Sequence, residues 1–291
     1  MRTLVCVTLL MLLHAHGLAL PDPAGLGPSA QDTLVRVVLN DGTELIGRII
    51  SQDAATIDFM TTGGLQVQIL RSMVKEIEPL EGEVRDGEYR RIDPNGTRLF
   101  FGPTARPLKS GRGYFSAYEI FLASLAIGIG DVFSMAGGMS LLPGAEQQLF
   151  FLAPRIFASV GSSVDVAAGL LYGGVTGEED NAGIVYGVTT VGSPYVSLTL
   201  GLGYGFSGDD FAEDPIILAG FEAQLSSSVK FISENWIVVG SDVIPVSFGI
   251  RFFGDHLAAD FAFFYPLGSE EMEGFPFVPW IGFAYNFDLG N

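Results

Sequence analysis

The stretch Tyr195–Phe206, YVSLTLGLGYGF, decides the fold. Successive side chains of an extended strand point to opposite faces. One face of this stretch carries only bulky side chains: Val196, Leu198, Leu200, Leu202, Tyr204 and Phe206. The other face carries only small ones: Ser197, Thr199, Gly201, Gly203 and Gly205. An uncharged bulky face opposite a nearly bare face is typical of transmembrane β-barrels, which turn the apolar side toward lipid and the small or polar side toward the lumen.

The start of the chain predicts export. Residues 1–19 combine an early Arg2, an apolar run and small residues before Leu20, which indicates a secretory signal peptide. Residues 20–31 are rich in Pro and Gly and predict a spacer. Cys6 is the one cysteine and lies in the signal, so we expect a mature chain without disulfides or cysteine metal ligands.

The charge distribution argues against nucleic acid as a partner, and the lengths of the apolar runs favour a barrel over membrane helices. The net charge is −18, and from Tyr114 onward only three basic residues face twenty acidic ones. Nucleic acid demands a basic surface, so we do not expect it as a partner. No later apolar run reaches the ~20 residues that a membrane helix needs. A membrane location therefore requires a closed barrel.

Residues 32–79 predict a separate small β domain. Five short strands are expected, with Asn40-Asp41-Gly42 as a turn signal between the first two. The runs VVLNDGTELIGRI (37–49) and QILRSMVKEI (68–77) resemble the Sm-like family, which implies a small SH3-like barrel. Leu70-Arg71-Ser72 departs from the Arg-Gly pair that the family prefers. Because the chain is predicted to be exported, we transfer the fold and not RNA binding.

Residues 80–96 are interpreted as a linker and residues 97–291 as an outer-membrane β-barrel of about twelve strands, with Arg98–Thr104 as the first. Short breaks are expected near 130–131, 161–163, 192–194, 226–228 and 254–256. Mostly longer and often acidic breaks alternate with them near 142–147, 177–181, 207–214, 240–242 and 268–276. Outer-membrane barrels have short periplasmic turns and longer outer loops. The fold prediction is therefore all-β, with both chain termini in the periplasm and an aromatic last strand that places Phe287 at the membrane edge.

Charged residues within the predicted strands form a candidate polar cluster in the lumen. By alternation the members are Glu119, Arg155, Asp165, Glu222, Arg251 and Asp260. An Arg facing lipid at mid-membrane costs about 2–4 kcal/mol, so an inward direction is required. The turn at 254–256 sets Arg251 opposite Asp260, which permits a cross-strand ion pair. The cluster suits a network that stiffens the lumen or a constriction that selects solutes by charge; catalysis is a third alternative.

The sequence predicts a porin-like protein of the Gram-negative outer membrane, with its N-terminal domain in the periplasm. It would act as a passive channel or as a structural envelope component. The expected partners are outer-membrane lipid, small solutes and a periplasmic partner of the N-terminal domain. We predict no enzyme activity, cofactor or metal site, since His256 is the one histidine after the signal and lies in a predicted turn. A secreted, lipocalin-like barrel with an apolar ligand and an envelope hydrolase are the alternatives.

Overall fold

The computed structural model describes residues 33–178, 181–268 and 277–290, so the predicted signal peptide and the whole of the predicted spacer lie outside the described residues. The chain forms two compact units. One contains the strands up to Pro79, and the other contains the chain from Leu80 onward. Within the described part no helix is long and apolar enough to cross a membrane.

The first unit is a five-stranded antiparallel sheet. Its strands are β1 (Leu34–Leu39), β2 (Glu44–Gln52), β3 (Thr56–Thr61), β4 (Gln66–Leu70) and β5 (Val74–Pro79). The order β4-β3-β2-β1-β5 leaves β4 and β5 as two edges, so the sheet is open and the predicted closed SH3- or Sm-like barrel is not confirmed. Val37, Ile57 and Phe59 are fully buried at its centre. Gly42 supplies the φ of +86° in the predicted turn between β1 and β2.

The predicted linker contains a β-hairpin, β6 (Gly82–Arg85) and β7 (Glu88–Arg91). Its turn residues Asp86 and Gly87 have φ values of 55° and 81°. Asp-Gly is a strong signal for a two-residue hairpin turn, which the linker interpretation overlooked. The hairpin lies at the barrel end that carries the short turns, because Arg91 pairs with Asp255 at 3.2 Å.

The second unit contains a closed antiparallel barrel of twelve strands, in which the last strand pairs with the first. The strands are β8 (Arg112–Tyr118), β9 (Leu122–Ile129), β10 (Phe133–Ser140), β11 (Leu149–Ser159), β12 (Val164–Val175), β13 (Asn181–Gly192), β14 (Val196–Ser207), β15 (Asp210–Ser226), β16 (Val229–Val238), β17 (Ile244–Phe253), β18 (Leu257–Leu267) and β19 (Val278–Asp288). The acidic stretch expected as an outer loop at 207–214 mostly belongs to β14 and β15, which continue beyond their neighbours.

The predicted number of barrel strands is confirmed, but the strands are not all the expected ones. Arg98–Thr104 is not a barrel strand, and its only ladder contact is an isolated bridge between Arg98 and Pro103. The stretch after Tyr114, where no break was predicted before Gly130, forms two strands instead of one. Their turn holds Glu119 and Ile120 at φ values of 48° and 68°. Such values favour Gly or Asn, so a Glu-Ile pair gives no turn signal, and the two errors cancel in the count.

The bulky face of the barrel strands points outward. On β14, Leu200 is 64% exposed and its neighbour Thr199 is 1% exposed. Phe248 on β17 is also exposed, whereas Arg155 and Arg251 are buried inside. The alternation that predicts the facing of the strands therefore matches the structure at these positions.

Candidate functional site

Residues 93–106, here called the inner segment, cross the inside of the barrel. Nine of these residues are buried: Asp93, Asn95, Thr97, Arg98, Leu99, Phe100, Gly102, Thr104 and Ala105. From β11, Arg155 donates a hydrogen bond of 3.1 Å to the carbonyl of Thr97. From β17, Arg251 donates one of 3.0 Å to the carbonyl of Asn95. Because β11 and β17 are six strands apart in a ring of twelve, the segment contacts opposite walls.

Tight local turns let the inner segment fit this space. The carboxylate of Asp93 accepts a hydrogen bond from the backbone N–H of Asn95 at 2.9 Å, and Leu99 N–H donates to Gly102 O at 2.8 Å. The Leu99 side chain lies against Gly220 of β15, where a Cβ atom would overlap Leu99. The apolar part of the segment thus packs on the β15–β18 wall, and glycine at position 220 makes room for it.

Six charged residues form an ion cluster between the inner segment and this wall: Asp93, Arg98, Glu222, Lys230, Arg251 and Asp260. Arg251 is fully buried at its centre. Its Nε lies 2.6 Å from Asp260 Oδ1, and its Nη1 lies 3.0 Å from Asp93 Oδ2. Its Nη2 also donates to the carbonyl of Leu99. One guanidinium therefore joins the wall to the segment through both carboxylates and backbone.

The other two cations of the ion cluster extend the same pattern. Lys230 Nζ lies 2.9 Å from Asp93 Oδ2 and 3.1 Å from Glu222 Oε1. Arg98 belongs to the segment itself, and its Nη1 lies 2.6 Å from Asp260 Oδ2. Hydrogen-bonded ion pairs of this length are charge-assisted and stronger than neutral ones. Each carboxylate of the cluster thus has at least one cationic partner.

Glu234 holds the tip of the inner segment in a different way. Its carboxylate accepts hydrogen bonds from the backbone N–H groups of Phe100, Phe101 and Gly102 at 2.8, 3.0 and 3.0 Å. The indole N–H of Trp236 donates to the same carboxylate at 2.7 Å. Glu234 is 1% exposed. A buried carboxylate that accepts several backbone N–H bonds fixes the segment without a cation.

The opposite wall contacts the backbone of the segment. Arg155 donates to the carbonyls of Thr97, Thr104 and Arg106 at 3.1, 2.7 and 3.3 Å. Thr190 Oγ1 on β13 accepts from Ala105 N–H at 2.8 Å. These bonds satisfy backbone groups that would otherwise be buried without partners.

The structure brings four of the six predicted cluster residues into the barrel interior and leaves two at its rims. Arg155, Glu222, Arg251 and Asp260 are buried: they lie at the inner segment or in the ion cluster. Glu119 lies in the exposed turn between β8 and β9, where its Oε1 accepts from Ile281 N–H at 2.9 Å.

Asp165, the other rim residue, is at the start of β12. It is partly exposed and accepts from Ser159 Oγ at 2.5 Å. The inward assignment fails for Glu119 because that residue is in a turn. It also fails for Asp165, because that residue is the second of β12 and lies at the rim of the barrel.

Four further interior residues were not included in the predicted cluster: Asp93, Arg98, Lys230 and Glu234. The first two were assigned to the linker and to a barrel strand. The signal for the others was present, since Lys230, Ile232, Glu234 and Trp236 occupy alternate positions on β16. Charges at two of those positions obscured the bulky-and-small pattern that predicts facing elsewhere.

The buried charges of the described part of the interior balance. Its buried charges are four cations and four carboxylates: Arg98, Arg155, Lys230, Arg251, Asp93, Glu222, Glu234 and Asp260. Within the described ranges, no group of three His, Cys, Asp or Glu residues could hold a metal ion. His256 lies between β17 and β18, with Nδ1 3.3 Å from the carbonyl O of Asn286.

Neither a protein-family model nor a curated protein matches this sequence. Solved structures that match include a KdgM porin and the same porin in complex with disordered oligogalacturonate, each 9% identical, covering 60% of this chain and 98% of theirs, with a TM-score of 0.46. A third is a loop-deletion mutant of OmpT, an outer membrane protein of Vibrio cholerae. It is 10% identical and covers 88% of this chain and 96% of its own, with a TM-score of 0.34. Similarity at this level carries no information on the activity of this chain.

Proposed function

We propose that this chain is a bacterial outer-membrane protein whose filled barrel is a structural anchor for the N-terminal β unit. The observation that carries the proposal is the inner segment, which is bonded to the walls at β11 and at β17. The sequence alone leaves a passive channel and a structural envelope component both open, and the filled interior favours the second.

The outer surface supports a membrane location. Large apolar side chains are exposed on many barrel strands, among them Leu152, Ile156, Leu198, Leu200, Leu202, Phe248, Phe252, Phe261 and Phe283. A soluble protein rarely exposes so large an apolar surface, whereas a membrane barrel needs it. A lipocalin-like protein would enclose these groups around its ligand. The outward direction of Leu200 and the inward direction of Arg251 therefore favour lipid as the surroundings.

The loops support the orientation. The end of the barrel with the short turns also has the first residue of β8 and the last residue of β19, as expected for the periplasmic side. The β6–β7 hairpin lies at the same end through Arg91 and Asp255. On this basis we propose that the N-terminal β unit is periplasmic and that it binds a periplasmic partner.

The width of the barrel explains why a filler is needed. Eight strands leave an interior that side chains can fill, and sixteen to eighteen leave an aqueous channel. Twelve strands with many small inward residues lie between these limits. The inner segment occupies the space that the inward side chains leave, and its polar groups are hydrogen-bonded to the walls. A passive pore would require that segment to leave.

Planar-bilayer conductance tests the proposal. Purified full-length protein, with its folding checked by heat-modifiable gel migration, is expected to give no steady ohmic conductance. An Asp93→Ala/Glu234→Ala double variant removes two attachments of the inner segment and is expected to give frequent openings, which shows that the assay would register a pore. Glu213→Ala, an exposed glutamate on β15, is the matched control. Steady conductance of the unaltered protein would instead support the passive channel, and a protein soluble without detergent would support the lipocalin-like alternative.

A further inference from the structure

A cavity of about 90 Å³ lies between the inner segment and the wall that β8–β13 form. Arg98 and Thr97 line it from the segment, and Arg155, Tyr114, Tyr118 and Tyr186 line it from the wall. This is room for several water molecules or for one small organic ion. The ion cluster is on the β15–β18 side of the segment, and Arg98 is the member of it that also lines the cavity.

The two arginines at this cavity have unused hydrogen-bonding capacity. Arg98 reaches Asp260 through Nη1, while its Nε and Nη2 have no partner. The Nε of Arg155 has none either, and Thr97 Oγ1 is also buried without a partner. Leaving a buried donor unsatisfied is unfavourable, and more so when the donor is charged.

Arg155 also lacks a counter-charge. The buried ion pairs of the described chain involve Arg98, Lys230 and Arg251 as cations, and Arg155 takes part in none of them. Its hydrogen bonds go to neutral backbone carbonyls. Glu234, the remaining buried acid, is engaged with backbone N–H groups and with Trp236. A buried cation without a partner charge is strongly unfavourable in an apolar surrounding.

The walls of the cavity limit what could supply that charge. Tyr114 and Tyr118 lie under the Arg98 guanidinium, with ring centroids 5.9 and 5.4 Å from its Cζ. Aromatic faces suit a flat ligand with an apolar part, and a guanidinium matches the two oxygens of a carboxylate. The size of the cavity excludes large organic acids.

We propose that this cavity binds one small monocarboxylate of about the size of acetate. Its oxygens accept hydrogen bonds from Nε of Arg155, from Nε and Nη2 of Arg98 and from the hydroxyl of Thr97. The site goes beyond the anchor function and does not depend on it, because binding is measured on the folded barrel whether or not ions cross it.

Titration with sodium acetate tests the site. Full-length protein is folded in detergent, with sodium gluconate, which is too large for the cavity, keeping the ionic strength constant. Trp236 lines the cavity, so its fluorescence reports binding, and a rise of the thermal unfolding midpoint with acetate gives a second measure. We expect saturable binding of acetate and none of benzoate.

Three variants define the outcome. Arg155→Gln removes the unpaired cation and should weaken acetate binding about tenfold or more, as loss of a charged hydrogen bond predicts. Arg85→Gln removes the same charge from an exposed position of β6 and should leave the affinity unchanged. Thr97→Val keeps shape and charge, so it folds even if Arg155→Gln does not, and should weaken binding several-fold. Acetate affinity that is undetectable in the unaltered protein, or that stays unchanged in both Arg155→Gln and Thr97→Val, would mean that the cavity holds only water.

Discussion

Replacing Glu234 with alanine should detach the tip of the inner segment. The carboxylate accepts three backbone hydrogen bonds from Phe100, Phe101 and Gly102, and a fourth from Trp236. A hydrogen bond to a charged group contributes roughly 1.5–3 kcal/mol. Water that enters the space of the deleted side chain accepts some of these hydrogen bonds and restores part of the lost free energy. We therefore expect the free energy of unfolding to fall by about 3–5 kcal/mol, a large value for one substitution.

Denaturant unfolding in lipid vesicles, followed by tryptophan fluorescence, measures this change. Hydrogen exchange of the amides of residues 100–102 measures the local effect, and those amides should lose protection while the barrel strands keep theirs. Glu234→Gln keeps one oxygen acceptor and should give an intermediate loss. The control, Glu213→Ala, should stay within about 0.5 kcal/mol of the unaltered protein. Equal stability of Glu234→Ala and this control, with unchanged amide protection, would refute the role assigned to Glu234.

Three further predictions concern packing, ionisation and the N-terminal unit. Gly220→Ala should lower the free energy of unfolding by about 1–3 kcal/mol because its Cβ overlaps Leu99, and adding Leu99→Ala should recover part of the loss; additive losses in denaturant unfolding would contradict the contact. Burial, with Glu83 nearby, raises the pKa of Tyr195 to about 12, so the stability that the neutral phenol contributes is complete below pH 10 and disappears as pH rises through 12. In titrations followed at 295 nm, the Tyr195→Phe variant should lack a component near 12 that the unaltered protein shows; a variant that lacks a component near 10 instead would refute the assignment. Phe59→Ala should destabilise the five-stranded sheet by about 3–5 kcal/mol and leave heat-modifiable migration of the barrel unchanged, whereas loss of that migration would show that the units do not fold independently.

The barrel was the most predictable part of the chain, and the reason is local. In a strand between lipid and lumen, every second side chain meets the same surroundings, so facing can be read residue by residue. Leu200 and Thr199 illustrate this, as does the register that sets Arg251 opposite Asp260. Turn chemistry was less reliable: Glu119 and Ile120 occupy a tight turn without any of its usual residues.

The inner segment could not be predicted from alternation. RLFFGPT contains the bulky residues of a barrel strand, and no local feature separates a strand within the wall from an extended segment enclosed by it. Inside the barrel Leu99 and Phe100 are both buried, although they are adjacent in the chain. A period of two in exposure does not arise where the surroundings are protein on every side.

The sequence by itself determined that this chain is all-β and that the bulky faces of its barrel strands point outward, because alternation depends only on neighbouring residues. Only the tertiary structure decided what fills the barrel. The carboxylate of Asp93 meets Arg251 across 158 positions of chain. Such a pairing depends on closure of the whole sheet, which brings distant charges to one place and leaves Arg155 beside a cavity with its Nε unbonded.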